Sequence, residues 1–435
     1  MLTNTLNCHK ITRFCIFKQT ATNWGAITVF NRATRNLLFL GTILSSSALL
    51  HPVLAQQNSG NEQGLFYSLS AEVSHVNNIL RLSEEEKDEN PNLQASDSYL
   101  DADLTLGYGK RIGRQILSLN VNAGQRFHKN NTQLDNENLG VSSTLNWKLG
   151  ASCSGQLSGN YQRRQAQIET IDDIIANDVK DRTGSIFTAC RVGGRLSVTG
   201  GFSLSELDNE QERSQLNDRN DTQYSAGLRY SIGQDKYIGL FGSRTDTKYE
   251  NRTFTNDLKA ELTSESISGE VSSNFGPNLI VTGNIGYQQV KDNSPEANET
   301  KGLSYSIGVE YTLAARHKVN LNLSKNTVPQ ENLRSIFSTE QTTEIGINSS
   351  WSPKLSSQVS FRYRDRKNEY GNEVNPIFGP RNLSDETYGL QGRINYSLGR
   401  LIELSVGARY DRRNADNDLF SYDDKGLFLR VSIRN

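Results

Sequence analysis

The segment Tyr99–Tyr108 reads YLDADLTLGY, and its apolar residues alternate with polar or small ones. Successive side chains of a β-strand point to opposite faces, so this pattern predicts a strand with one apolar and one polar face. A helical period would mix the two sets. The alternation recurs in segments of about ten residues, which is typical of transmembrane strands in outer-membrane barrels. Further examples are 117–124, 303–312 and 402–410.

The predicted strands are joined alternately by short turns and long polar loops. Short turns fall near Gly113, Gly233 and Gly399, whereas 81–97 and 208–221 are long acidic or Asn-rich loops. Eight such turns and nine such loops predict about eighteen strands. In bacterial outer-membrane barrels the turns face the periplasm and the loops face the cell exterior. The sequence therefore predicts an all-β chain that forms a single antiparallel transmembrane β-barrel.

An internal repeat of about 40 residues, one hairpin with its connections, runs along the chain. A β-propeller repeats at a similar period, but it needs four short strands where this sequence has two long ones, so the propeller is the less favoured alternative. Each repeat ends a descending strand with an outward aromatic residue, which predicts a girdle at the lipid headgroup level on the periplasmic side. The predicted girdle consists of Tyr108, Trp147, Tyr230, Phe275, Tyr311, Trp351 and Tyr396.

Composition supports a barrel and gives no reason to expect nucleic acid as a partner. Only 35% of residues are hydrophobic, yet the chain has 17 Tyr, 16 Phe and 35 Gly, which suits strands that are apolar on one face only. The 47 Lys and Arg against 48 Asp and Glu leave a formal charge of −1, whereas nucleic-acid binders carry a basic excess or patch. We expect outer-membrane lipid to be the main partner of the apolar face.

The N-terminal part of the sequence predicts export. An apolar stretch at 37–50 is too short to span a bilayer, follows Arg32 and Arg35, and leads to a small-residue end at Ala55. These features indicate a signal peptide cleaved after Ala55, with an unusually long first part that indicates an overlong start. We expect residues 1–55 to be the leader, 56–63 a short periplasmic segment and 64–435 the barrel in the outer membrane.

Cleavage there would leave two cysteines, Cys153 and Cys190, in an exported chain, which favours one disulfide. Both lie next to predicted periplasmic turns on antiparallel neighbours, and the alternation places both side chains outward. Directly opposed positions lie about 4.5 to 5.5 Å apart, within reach of a disulfide. Two free thiols are the alternative.

The polar face of the predicted strands carries charges of both signs. Charges of both signs would make the lumen wet, and a barrel of about eighteen strands leaves an aqueous channel unless loops plug it. Two roles stay open for these charges: they stiffen the wall, or they guide a solute. The candidate solute contacts are Arg126, Arg229, Arg362, Arg364, Arg393, Arg409, Asp101 and Asp103.

Enzymatic signals are few. His75, His128 and His317 are isolated and lack metal-ligand spacing, so we expect them to be exposed loop or rim residues. We predict no catalytic residue, no metal site and no cofactor.

Short phrases of the sequence resemble a known family, the outer-membrane barrels encoded in exopolysaccharide biosynthesis operons, often beside exosortase systems. The phrase NILRLS at 78–83 is similar to one that closes the family's first strand, and WKL at 147–149 followed by LSG at 157–159 is similar to a family hairpin. The chain departs from the family by ending Ile433-Arg434-Asn435 rather than on an aromatic residue.

The resemblance implies a part in exopolysaccharide export, with the secreted polysaccharide and periplasmic export components as partners. Two alternatives stay open: a general diffusion porin for small solutes and, less favoured, an outer-membrane enzyme that modifies lipid or glycan.

Overall fold

The computed structural model describes residues 64–89, 92–166, 177–233, 236–253, 258–293, 299–329, 337–369 and 384–435. These residues form eighteen β-strands and one short helix, α1 (Glu84–Glu89), with 3₁₀ turns at Thr132–Leu134, Glu212–Asn217 and Asp418–Phe420. Within these ranges, no helix has both the length and the apolar character needed to cross a bilayer. The predicted leader, its cleavage site after Ala55 and the segment 56–63 lie outside the described residues. The strands are β1 (Gly64–Val76), β2 (Asp97–Ile112), β3 (Gln115–His128), β4 (Asn136–Leu149), β5 (Cys153–Gln165), β6 (Asp178–Gly193), β7 (Leu196–Asn209), β8 (Arg219–Gly233), β9 (Lys236–Thr253), β10 (Lys259–Phe275), β11 (Leu279–Asp292), β12 (Glu299–Leu313), β13 (His317–Pro329), β14 (Phe337–Ser350), β15 (Leu355–Glu369), β16 (Ser384–Ser397), β17 (Ile402–Ala415) and β18 (Tyr422–Arg434).

The sheet closes on itself. Every strand pairs antiparallel with its neighbour in the sequence, and β1 also pairs with β18 from Ser68↔Arg434 to Val76↔Gly426. Closure removes the free edges that would otherwise leave backbone groups unpaired in lipid. The prediction of a single all-β antiparallel barrel of about eighteen strands is confirmed.

The register keeps the two faces of the strands separate around the barrel. Between β1 and β2, Leu69 lies opposite Leu104, and Ser70 lies opposite Asp103. A slip of one residue would exchange the faces of a whole strand, so the alternation of the sequence determines the register. One face of each strand is therefore apolar and exposed at the outside, and the other lines the lumen.

One end of the barrel is made of tight turns, which we name the turn end. Gly113 and Gly150 adopt positive φ angles of 62° and 60° in the first two turns, a backbone conformation that glycine adopts without steric cost. The β12–β13 turn instead uses Ala314 and Ala315, with φ angles of 51° and 56°. The opposite end carries the long connections, and we name it the loop end.

Connections at the loop end fold back over the inner face. The NILRLS phrase, Asn78–Ser83, follows β1, and its Ile79, Leu80 and Leu82 are buried with inward-facing Val76 and Tyr99. Asn78 is fully buried and holds this loop, because its Nδ2 donates to Leu82 O at 2.9 Å and to Asp423 O at 3.0 Å. The phrase therefore has a structural role at the mouth of the barrel.

Candidate functional site

The outer face of the barrel is apolar and exposed over its middle. Leu240, Ile267 and Leu429, for example, are 55%, 57% and 56% exposed. A contiguous apolar band of this kind requires a lipid environment rather than water. The band surrounds strands whose opposite face is lined by polar residues.

The structure places all seven predicted girdle aromatics near the turn end: six occupy outward positions of the register, and Trp351 directly follows β14. Six of them are largely exposed, and Trp147 is half-buried because its ring lies over Gly155. A Cβ atom at Gly155 would come within 2.3 Å of the Trp147 ring. The six exposed members are Tyr108, Tyr230, Phe275, Tyr311, Trp351 and Tyr396.

Cys153 and Cys190 lie directly opposite each other on β5 and β6, with their Cα atoms 4.1 Å apart and their sulfur atoms joined. Both side chains point outward, because Cys153 shares the face of Leu157, which lies opposite Ile186. The pair sits beside the turn end, where other repeats carry a girdle aromatic.

All eight predicted lumen residues occupy inward positions of the register. Asp101 and Asp103 lie on β2, with Arg126 opposite Asp101 on β3. Arg229 lies on β8. The other four predicted residues, Arg362, Arg364, Arg393 and Arg409, lie on β15, β16 and β17.

The inner face of β15–β18, which we name the arginine wall, concentrates positive charge. Eight arginines and four carboxylates of the described strands point inward there. The carboxylates are Asp385, Glu403, Asp411 and Asp424, and the arginines are Arg362, Arg364, Arg366, Arg393, Arg409, Arg413, Arg430 and Arg434.

Sequence reasoning missed three central members of this wall: Arg366, Arg413 and Arg430. The signal for finding them was present, because Arg366 shares the parity of Arg364, and Arg413 shares that of Arg409.

A buried charge cluster joins three strands of the arginine wall toward the loop end. Asp385 on β16 is fully buried and accepts hydrogen bonds from Arg366 at 2.7 Å and Arg413 at 3.1 Å, and these arginine side chains are only 1% and 5% exposed. One carboxylate thus serves two guanidinium groups. Such a cluster joins β15, β16 and β17, and removing one member would disrupt buried ion pairs at a cost in stability.

Carboxylates at the edges of the arginine wall neutralise part of its charge. Glu344 on β14 lies opposite Arg362 on β15 in the register, and Asp103 on β2 accepts from Arg430 at 3.2 Å. Asp101 holds Arg126 through two bonds of 2.7 and 2.8 Å. Among the described residues, Arg393 and Arg409 in the middle of the wall form no ion pair shorter than 3.9 Å.

The inner face of β5–β13, which we name the hydroxyl wall, is balanced in charge and mostly neutral. Serine, threonine, asparagine and glutamine fill its middle, and its hydroxyls bond across strands, as in Ser158–Ser185 at 2.6 Å and Ser243–Ser266 at 2.8 Å. Apart from Arg252, which follows a register shift near the end of β9, five cations and five carboxylates point inward along these nine strands. They are Arg164, Arg191, Arg219, Arg229 and Lys318, with Asp181, Asp221, Glu270, Asp292 and Glu310.

Arg229 belongs to a compact ion pair in the hydroxyl wall. Its Nε and Nη2 donate to Glu270 at 3.0 and 2.9 Å, and the Tyr237 hydroxyl also donates to Glu270 at 3.0 Å. Arg229 and Glu270 are two strands apart, and Gly239 of β9 lies between them. A Cβ atom at Gly239 would come within 3.2 Å of the Arg229 side chain, so the glycine lets the pair close.

The lumen narrows at the loop end. The loop-end part of β13 bends inward past β12 and contacts β11. There the Gln288 side chain donates a hydrogen bond to Thr327 O and accepts one from Thr327 N, both at 3.0 Å. Beside it, Phe337 is buried among Tyr249, Leu262 and Val290. Apolar clusters under the connections therefore reduce the opening on this side.

Loop residues outside the strands have perturbed ionisation. Burial raises the pKa of Asp218, although Asn209 donates two hydrogen bonds that lower it. The hydrogen bond from Lys180 holds the pKa of Glu210 below its usual value. Both groups stabilise connections and lie away from the arginine wall.

One sequence prediction about the histidines is wrong. His128 is not exposed: its side chain is 2% exposed, faces inward and contacts Asp135 at 3.1 Å. Tyr99 packs against its ring, and the adjacent loop covers it. In the part of the chain that the structure describes, no group of three or more His, Cys, Asp or Glu residues could hold a metal ion.

A closed eighteen-stranded barrel with an apolar outer face and a polar inner face has the architecture of an outer-membrane β-barrel porin. The model of the family described as Putative beta-barrel porin 2 matches residues 86–435. The chain belongs to this family, and the protein is an outer-membrane β-barrel. No curated protein matches the sequence.

Several solved structures are similar to this chain at low sequence identity. OccK2 (OpdF) of Pseudomonas aeruginosa is 12% identical, with a TM-score of 0.45, over 86% of this chain and 99% of that one. A BenF-like porin from Pseudomonas fluorescens Pf-5 gives the same identity, TM-score and coverage. The siderophore receptor PirA of Pseudomonas aeruginosa is 10% identical, with a TM-score of 0.40, over 86% of this chain and 80% of that one.

Proposed function

We propose that the protein is a diffusion channel that carries small polar solutes across the outer membrane and favours anions. The observation that carries the proposal is the polar lumen of an eighteen-stranded barrel whose charge is concentrated on one wall. Barrels of this size are wide enough to leave an aqueous channel. Membership in a porin family supports the same function.

The preference for anions rests on two guanidinium groups that form no close ion pair with a carboxylate among the described residues. Arg393 has no ion pair among the described residues, and the nearest carboxylate of Arg409 is Asp424 at 3.9 Å. A lumen lined by one sign of charge raises the local concentration of the opposite sign. The hydroxyl wall offers neutral donors and acceptors on the opposite side of the path.

Swelling of proteoliposomes tests the channel directly. Vesicles that contain the folded protein are placed in isotonic arabinose or in isotonic stachyose, a neutral tetrasaccharide. We expect arabinose to enter and to swell the vesicles, and the rate to fall steeply for stachyose. Vesicles with heat-unfolded protein serve as the control, and swelling no faster than theirs in every sugar would contradict a diffusion channel.

Exopolysaccharide export is a second candidate, and it rests on the short phrases at 78–83 and 147–149 alone. In the structure the first phrase closes a loop through Asn78, which accounts for it without any role in export. Family membership favours the diffusion channel instead. A deletion strain separates the two: retention of polymer in the periplasm would support export, and normal secretion would reject it.

An enzymatic role has no constellation to support it within the described residues. No candidate metal cluster is present among them, and the buried Asp385 is held by two arginines rather than poised in a cleft. Membership in a porin family favours a channel over an enzyme.

A further inference from the structure

The inner surface of the arginine wall encloses a small cavity. Its volume is about 90 Å³, and its lining includes Arg393, Arg409, Arg430, Phe428, Gln391 and Glu72. One water molecule needs roughly 10 to 15 Å³ of such space, so the cavity holds several waters or one small acidic group.

Two glycines make room for the cavity. Gly407 lies between Arg393 and Phe428 in the register, and a Cβ atom there would come within 2.3 Å of the Phe428 ring. Gly426 lies opposite Arg409, and a Cβ atom there would come within 3.0 Å of its Nε. Phe428 therefore lies across β17 and gives the otherwise polar cavity one flat apolar surface.

The cavity carries an excess of positive charge with unused donors. The Nε atoms of Arg393 and Arg409 are buried and have no hydrogen-bond partner among the described residues. Arg430 is occupied by Ser70 at 2.8 Å and Asp103 at 3.2 Å. Arg393 and Arg409 line the cavity, and their guanidinium groups can donate charge-assisted hydrogen bonds to a bound anion.

We propose that this cavity is a binding site for the acidic group of a small organic anion, a carboxylate or a phosphate. Arg393 and Arg409 donate to the acidic group, and the Phe428 ring contacts the apolar part of the molecule. The proposal rests on the proposed function, because it gives the channel a saturable site for solutes in transit. The preferred solute is a planar acid rather than an inorganic anion.

Binding to the folded protein in detergent tests the site without requiring transport. Saturation-transfer NMR is recorded with benzoate and phenyl phosphate, with acetate and inorganic phosphate as anions without a ring, and with benzyl alcohol as the neutral analogue. We expect saturable binding of one aromatic acid, weaker binding of its ringless counterpart, and no binding of benzyl alcohol. The stronger of benzoate and phenyl phosphate identifies the acidic group.

Substitutions locate the site. Arg393→Gln and Arg409→Gln should each weaken binding about tenfold, because each removes one charge-assisted hydrogen bond. Lys148→Gln removes the same charge from the inward face of β4 and should leave affinity unchanged. Phe428→Leu should reduce the difference between the aromatic acid and its ringless counterpart. An unheated variant that migrates more slowly on a gel than the unheated wild-type protein has failed to fold. If Arg393→Gln fails to fold, Arg393→Lys replaces it and should bind with intermediate affinity.

The outcomes separate this site from the proposed function. Equal affinity in Arg393→Gln, Arg409→Gln and Lys148→Gln, or equal binding of benzyl alcohol and benzoate, would overturn the site even if the vesicles swell. Binding that depends on Arg393, together with vesicles that do not swell, would support the site and contradict a diffusion channel.

Discussion

The arginine wall and the hydroxyl wall line the same lumen in different ways. Four strands of the arginine wall carry eight arginines and four carboxylates, whereas nine strands of the hydroxyl wall carry five charges of each sign. Many hydroxyls of the hydroxyl wall bond to those of neighbouring strands. In the arginine wall, the Nε atoms of Arg393 and Arg409 have no hydrogen-bond partner among the described residues. The proposed preference for anions therefore rests on the arginine wall, whereas the hydroxyl wall offers mostly neutral polar groups.

The largest expected difference between the two walls is in stability. Asp385→Asn removes the buried carboxylate charge that Arg366 and Arg413 share and should lower the free energy of unfolding by about 3 to 5 kcal/mol. Ser243→Ala in the hydroxyl wall removes one hydroxyl bond and should cost less than about 1 kcal/mol. Urea titration of the protein folded in lipid vesicles measures both. Equal losses would mean that the charge cluster does not hold its strands together.

Both walls are assigned to the inner face by the register of the strands. Two substitutions at adjacent positions of β2 test that register. Leu104→Arg places a charge on the lipid side at mid-barrel and should cost about 2 to 4 kcal/mol, whereas Thr105→Arg points into the lumen and should cost much less. The amount of heat-modifiable protein in the outer membrane reports assembly. Comparable assembly of the two variants would contradict the register of β2.

An effect of the same size or smaller is expected from the Cys153–Cys190 pair on the outer face of β5 and β6. The bond closes a sequence separation of 37 residues, so its loss in Cys153→Ser/Cys190→Ser should lower the free energy of unfolding by about 2 to 4 kcal/mol or less. Mass spectrometry of non-reduced peptides from the cell envelope tests whether the bond forms. Two alkylatable thiols would exclude it there.

The architecture could be predicted from the sequence because strand parity and turn spacing are local. Alternation in 99–108 and its repeats predicts which face is apolar, and the alternating lengths of the connections predict eighteen strands. The same parity predicts which arginines point inward. Parity does not predict the partner of an inward charge, because that depends on the stagger of strands that are distant in the sequence.

Three features illustrate this limit. Arg229 pairs with Glu270 two strands away, across Gly239. Arg366 and Arg413 both pair with Asp385. The inward bend of β13 onto Gln288 brings together residues that no periodicity connects. His128 is buried because the adjacent loop folds over it, and no local sequence pattern predicts that loop conformation.

Selectivity in a planar lipid bilayer tests the central claim most directly. Under a gradient of potassium chloride, the reversal potential of the wild-type channel should show that chloride is more permeant than potassium. Arg393→Gln/Arg409→Gln should shift the reversal potential toward potassium, and Lys318→Gln in the hydroxyl wall should shift it less, because Glu310 already pairs with Lys318 at 2.8 Å. A wild-type channel that prefers potassium, or equal shifts in the two variants, would contradict the assignment of selectivity to the arginine wall.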